Sequence, residues 1–287
     1  MNTLRDFMKV EGGDLNKEQV KFTSQHRFQS PALVVGWSED IGRLGPKVID
    51  LLNKKLGCEE FYQIEPAGFF PFDGVAVEGN VAQFPESRFY CSQKHDLVIF
   101  KSALPRYEWH KFLNSVLDVA GRCKVKEIYT VGGIASLIAH TDPRRITTVV
   151  NRPKLKEMLR EYGLETDMNY ETPPGGAPTL SSYLLWVAKR RNIPGANLWG
   201  EVPFYLAALE DPRAWKRALG FFDERFSLGI SLEELDEEVE RQTEKIERAR
   251  IRDPEVDEYI GKLERAGKLT WNDSEKLVKK IEEFLRS

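Results

Sequence analysis

Short apolar runs alternate with longer amphipathic stretches from Pro31 to about residue 230. Ala32 to Val35 is an apolar, β-branched run of strand length. Leu44 to Leu56 has helical spacing, with Leu44, Val48, Leu51, Leu52 and Leu56 on one face and Gly57 as its stop. Phe61 to Ile64 predicts a second core strand. Phe69 to Phe89 has another character. Pro71, Gly74, Gly79 and Pro85 separate short apolar runs, which predicts an antiparallel excursion closed by Arg88 to Cys91. Asp96 to Lys101 returns to the sheet, and Arg106 to Ala120 is helical, with Gly121 as its stop. Glu127 to Val131 is a buried strand that ends at Gly132-Gly133, where the backbone needs freedom. The strands ending at Val35, Phe100 and Val131 are expected to lie parallel in one sheet.

Beyond the glycine pair, Thr147 to Val150 reads as a short strand, and Pro153 opens a helix that runs to Tyr162 and stops at Gly163. Thr172 to Pro178 is a rigid loop before a helix from Leu180 to Arg191. Asn197 to Val202 is the last apolar strand, and Asp211-Pro212 starts a helix through Phe226. From Ser231 the pattern changes to charged helices with narrow apolar stripes. Ser231 and Glu234 match a capping box, Asp253-Pro254 starts a second helix, and Asp273 or Ser274 can cap a third. The expected organisation is an N-terminal arm over 1–30, an α/β core over 31–230 and a helical tail module over 231–287. The fold class is α/β, a mostly parallel sheet flanked by helices with an all-helical C-terminal appendage.

Composition narrows the function classes. The chain has 287 residues, a net charge of −3 and 30% charged residues, a balance that favours neither nucleic acid nor an anionic membrane. No apolar run is long enough for a membrane-spanning helix, and the polar start lacks a signal-peptide core, so a cytoplasmic location is expected. Cys58, Cys91 and Cys123 are isolated and read as small apolar residues rather than a disulfide or zinc framework.

Candidate chemistry collects at strand ends, because open α/β sheets place sites beyond the carboxyl ends of their strands. The candidate loops carry Gly36, Trp37, Glu39, Asp40 and Gly42, then Gly132 and Gly133, then Gly175 and Gly176 before a helix, with Glu201 on the last strand. Gly36 to Gly42 lacks both the dinucleotide spacing and a phosphate-binding lysine, and Glu39-Asp40 would repel phosphate. Pro174-Gly175-Gly176 is either an anion-holding helix start or a stiff turn. Among the scattered histidines, His140 alone lies near the glycine pair. Ser38 and Ser136 lie outside any nucleophile-elbow pattern. No metal ligand set, catalytic set or cofactor is expected.

Taken in order, Val34-Val-Gly-Trp37 with Gly42 and Gly45, Asp96-Leu-Val-Ile-Phe100, Ile128-Tyr-Thr-Val-Gly-Gly133, Pro174-Gly-Gly176 and Leu198-Trp-Gly-Glu-Val-Pro203 resemble the proteasome assembly chaperone family, of its second-subunit type. The resemblance covers Pro31 to Leu235. It implies a three-layer α/β fold related to phosphorylase-like folds, self-association and a protein partner, with no catalytic residues to carry over. Many prokaryotic members are uncharacterised and have been catalogued as ATP-grasp-like, but the paired lysines and metal-binding carboxylates of that chemistry are not seen. Some archaeal relatives end in a hydrophobic–tyrosine–any-residue tail that docks on the proteasome. This chain ends Phe284-Leu-Arg-Ser287, so docking through the C-terminus is not expected. The leading expectation is a non-catalytic, homo-oligomeric assembly or interaction protein. The alternative is a small-molecule or nucleotide-handling enzyme using the carboxyl-edge loops.

Overall fold

Alternation along four central strands decides the architecture. The computed structural model describes residues 28–71, 76–92, 94–169, 171, 176 and 178–286. The expected N-terminal arm lies outside the described residues, apart from its last positions. In strand β1 (Ala32–Trp37), Ala32 and Val34 face one apolar cluster, while Leu33, Val35 and Trp37 face another. Strand β6 (Leu97–Ser102) repeats the division, with Leu97 and Ile99 on the first side and Val98 and Phe100 on the second. Strands buried on both faces read as continuous apolar runs because helices cover them above and below.

The other strands are β2 (Glu59–Gln63), β3 (Ala76–Glu78), β4 (Val81–Gln83), β5 (Ser87–Cys91), β7 (Glu127–Ser136), β8 (Ile146–Val150) and β9 (Gly195–Pro203). Seven of them form one sheet in the order β2-β5-β6-β1-β7-β9-β8, and β3-β4 is a separate hairpin. β6, β1, β7 and β9 are parallel, as expected for the strands containing Val35, Phe100 and Val131. β5 and β8 run antiparallel to their neighbours on either flank. The Phe69–Phe89 excursion is the antiparallel hairpin that its Gly and Pro punctuation predicts.

Helices α1 (Leu44–Leu56), α3 (Pro153–Glu161) and α5 (Pro212–Phe226) cover the first side, and α2 (Trp109–Arg122) and α4 (Leu180–Arg190) the second. The tail consists of α6 (Glu233–Arg252), α7 (Pro254–Glu264) and α8 (Trp271–Arg286). Leu235, Ile246, Ile260, Leu277 and Ile281 are fully buried and belong to the same cluster as α1 and α5.

Several local expectations are corrected. β7 does not end at Gly132-Gly133 but continues to Ser136, paired with β9 throughout. Phe61 is the one buried residue of β2, which lies at the sheet edge rather than in the core. α2 passes through Gly121, and Lys124 takes the left-handed conformation that ends the turn. The Ser231–Glu234 box is not formed: the Glu234 carboxylate pairs with Lys55 Nζ at 2.6 Å, and Leu232 is the cap position. α8 is capped one turn earlier than expected, by Thr270 Oγ1 accepting from Asp273 N at 3.1 Å. Asp211 and Asp253 do cap α5 and α7.

Two substitutions test this packing by chemical denaturation. A Cβ on helical Gly121 would meet nothing within 4 Å, so Gly121→Ala should stabilise the protein by about 0.5–1 kcal/mol. Leu235 is 0% exposed, and Leu235→Ala should cost about 2–5 kcal/mol.

Candidate functional site

One carboxylate folds the loop after β1 back over the sheet. Gly45 N donates to Asp40 Oδ2 at 2.6 Å. Gly133 N donates to Oδ1 at 2.9 Å and to Oδ2 at 3.1 Å. The two donors belong to the first turn of α1 and to β7, so a single side chain ties loop, helix and strand together. Burial outweighs these N–H groups and pushes the Asp40 carboxyl up from 3.8 to about 6.

The glycines here permit close contact. A Cβ on Gly133 would lie 2.2 Å from the Ile41 carbonyl oxygen, and one on Gly45 would lie 2.7 Å from the Val131 oxygen. Gly42 is left-handed (φ 63°), and a Cβ on it would strike Val202 at 2.8 Å. Gly42 N also donates to Ala207 O at 2.8 Å, and Trp215 Nε1 donates to Gly42 O at 3.2 Å. The Gly132-Gly133 stretch of β7, just beyond the end of its pairing with β1, is therefore covered by the chain's own Asp40–Arg43 turn, while Ile134 and Ala135 after it are exposed.

A second network lies farther along β7 and β9. Arg145 grips Glu201 in a two-pronged pair, Nε to Oε2 and Nη2 to Oε1 each at 2.9 Å, while Ser136 Oγ donates to Oε1 at 3.1 Å. Arg145 also reaches Glu165 at 3.1 Å. A third network sits in the loop between β7 and β8. Buried Arg144 donates from Nε to Asp211 Oδ2 at 2.8 Å and to the carbonyls of Ala139, His140 and Asp142. Asp211 in turn accepts from Ala214 N at the start of α5. His140 is buried. Its backbone N–H donates to Tyr205 Oη at 2.6 Å, and its Nδ1 lies 3.2 Å from the same oxygen. Its Nε2 lies 3.2 Å from Glu247 Oε1 of α6 without the angle of a hydrogen bond. Burial holds His140 below the usual histidine range, against the opposing pull of Glu247.

Of the residues singled out from sequence, Asp40, Gly42, Gly132 and Gly133 meet in one place. Gly36 and Trp37 lie within β1, and Trp37 Nε1 donates to Ser181 Oγ at 2.8 Å on the opposite side of the sheet. Glu39 and Gly176 are exposed, Gly175 lies outside the described residues, and Glu201 and His140 belong to the separate networks. Arg144, Arg145 and Tyr205 were missed. The dense Asp142-Pro-Arg-Arg145 run was the available signal. Cys91 and Cys123 are buried thiols, each pushed up to about 12 by desolvation. Among the described residues, no group of His, Cys, Asp and Glu is arranged to hold a metal, and no helix is long and apolar enough to cross a membrane. A cleft of about 590 Å³ lies elsewhere, between the β8 side of the sheet and the segment after α3, lined by Thr147, Arg160, Glu165 and Asp167 among others.

The model of the PAC2 family matches residues 33–250. The chain belongs to the PAC2 family. A PAC2 family protein from Streptomyces avermitilis has the same fold, with a TM-score of 0.66 and 22% identity over 80% of this chain and 99% of that one. PbaB of Pyrococcus furiosus, an archaeal proteasome activator, superposes with a TM-score of 0.64 at 23% identity, over 82% of this chain and 97% of that one. PbaA of the same organism, an archaeal homolog of proteasome-assembly chaperone, gives 0.62 at 18% identity over 84% and 94%. At these identities the likeness is one of fold. The PAC2 match spans β1 through most of α6, so the Asp40, Arg144 and Glu201 networks all lie within it.

Two outcomes are expected at Asp40. Its folded carboxyl titrates above its unfolded one, so its contribution to stability is fully present below pH 3.8 and is lost as pH rises through about 6. The gap corresponds to about 3 kcal/mol. Urea unfolding midpoints followed from pH 7 to pH 5 should gain stability from this group, and Asp40→Asn should flatten that part of the profile. Gly133→Ala should cost at least ~1–3 kcal/mol, because the Ile41 backbone has to move.

Proposed function

We propose that this PAC2 protein is a non-catalytic assembly or interaction protein that binds a protein partner of the proteasome system, acting in the cytoplasm as a homo-oligomer. The observation that carries this reading is the filled position between the ends of β1 and β7, at Gly132-Gly133. Where an α/β enzyme of this layout would admit substrate, Gly133 accepts the Ile41 backbone and Asp40 binds the chain's own N–H groups. The fold shared with PbaB and PbaA, named for proteasome activation and assembly, supports the same partner class. The tail over 231–287 is read as a helical module that folds against the core without supplying its central packing.

Mixed with purified, unassembled archaeal proteasome core subunits, the protein is expected to co-elute with them and to raise the yield or rate of core-particle formation. Unchanged elution together with unchanged assembly overturns the proteasome reading. Pure protein should show no sustained ATP hydrolysis. Hydrolysis that disappears in Glu201→Gln would replace the non-catalytic reading with an enzymatic one. Truncation after Gly229 should leave a soluble, cooperatively folding core that has lost its association, and an unfolded product would place the tail inside a single folding unit.

A further inference from the structure

The outer face of α2 and α4 carries aromatic and cationic groups that the fold itself does not use. His110, Tyr183 and Trp186 form a ring cluster, with Tyr183 and Trp186 centroids 5.5 Å apart and Tyr183 Oη 3.2 Å from His110 Nδ1. Trp186 is 47% exposed, and the Arg190 guanidinium lies 5.0 Å over its ring. Lys111, Lys189 and Arg190 are exposed and have no ion pair among the described residues. Arg191, beside them, is neutralised by Asp118 at 2.6 Å. A tryptophan and an arginine standing together on a surface are the residue types that anchor protein interfaces.

The complementary surface is on the same chain. At 100° per residue, Glu233, Glu237, Glu240, Glu244 and Ile251 fall within about 40° of one line along α6. All four glutamates are exposed, and Ile251 is 84% exposed. Of the other acids on α6, Glu234 pairs with Lys55, Asp236 with Lys216 and Glu247 with Arg250, while Glu238, on another face, has no ion pair among the described residues. Along this line Glu244 meets Arg248 at 3.4 Å, whereas Glu233, Glu237 and Glu240 have no ion pair among the described residues. Arg241 and Arg248 follow Glu237 and Glu244 at i+4, but only Arg248 pairs with its carboxylate, since Arg241 Nε donates to the Glu237 backbone carbonyl. The three unpaired carboxylates Glu233, Glu237 and Glu240, on a line that ends in an exposed isoleucine, match a cationic face built around an exposed tryptophan.

We infer that the α2–α4 face of one copy binds the α6 glutamate line of a second copy, head to tail. The inference deepens the self-association proposed above. Such a contact uses two different patches, so it closes into a ring or continues as a chain rather than stopping at a two-fold dimer. The glutamates meet Lys111, Lys189 and Arg190, and Ile251 offers Trp186 an apolar contact. Association weakens as salt rises, because the facing charges are at the surface.

The test uses the full chain and two charge-reversal variants, Lys189→Glu with Arg190→Glu, and Glu237→Lys with Glu240→Lys, followed by light scattering and sedimentation at micromolar concentration. Each variant alone should lose self-association by about tenfold or more, with an unchanged circular dichroism spectrum. An equimolar mixture should reassociate, since each variant then offers the face that the other lacks. Trp186→Ala should weaken association without abolishing its salt dependence. Wild-type oligomers that both reversals leave intact overturn this interface and leave self-association standing. A wild-type chain that is monomeric overturns both. Loss of association without rescue in the mixture also overturns the interface, and it assigns the cationic face to an acidic segment of another protein if such a segment binds wild type and not Lys189→Glu with Arg190→Glu.

Discussion

Everything at the carboxyl edge depends on the hydrogen bond from Gly133 N to the Asp40 carboxylate. β1 stays in register with β7 only as far as Gly36 opposite Val131, so the next inward-facing N–H of β7 loses its strand partner. A buried donor left unpaired costs about 1–3 kcal/mol. Asp40 replaces the missing strand, and its other oxygen holds the first turn of α1 through Gly45. The geometry brings the Ile41 carbonyl to a distance that no side chain at position 133 would allow. Loop path, helix start and strand length are thus set by one acceptor and two glycines, and the carboxylate remains near its titration point because burial opposes its ionisation.

A second buried charge organises the adjoining loop. Arg144 is the more demanding case, since a desolvated guanidinium is stable only when nearly all its donors are used. It spends them on Asp211 and on three carbonyls of its own loop. Asp211 also caps α5, so the β7–β8 loop and the helix packed beneath the sheet are fixed together. His140, held in that loop, faces Glu247 of α6, which places the tail against the same structure.

With the Gly132-Gly133 position covered in this way, charged and aromatic groups remain on the outer helix faces. Exposed rings and cations stand on α2 and α4, and exposed carboxylates on α6. That distribution suits association between macromolecules, where flat, charged and aromatic surfaces meet, better than it suits capture of a small molecule in a concave site.

The sequence by itself determined the elements whose signals are local. Leu44 to Leu56 with Gly57, Asp211-Pro212 and Asp253-Pro254 carry their own period, cap or stop and form as read, and the apolar runs of the four parallel strands form strands, although β7 runs on past the glycine pair read as its stop. It also singled out Asp40, Gly42, Gly132 and Gly133, which meet in the fold although the glycine pair lies within β7 and not in a loop. What those residues do was decided by tertiary structure. A glycine pair reads identically whether it turns the chain or admits a neighbouring backbone, and only the approach of Ile41 from 92 positions earlier in the chain distinguishes the two. The Ser231–Glu234 signal failed for a related reason: Lys55, distant in sequence, takes the carboxylate that the local motif assigns to the helix start. Arg144 was illegible because a buried arginine is defined by its acceptors, and Asp211 lies 67 residues away. Periods and caps are properties of a few consecutive residues, whereas close approach and charge pairing belong to whatever the fold brings alongside.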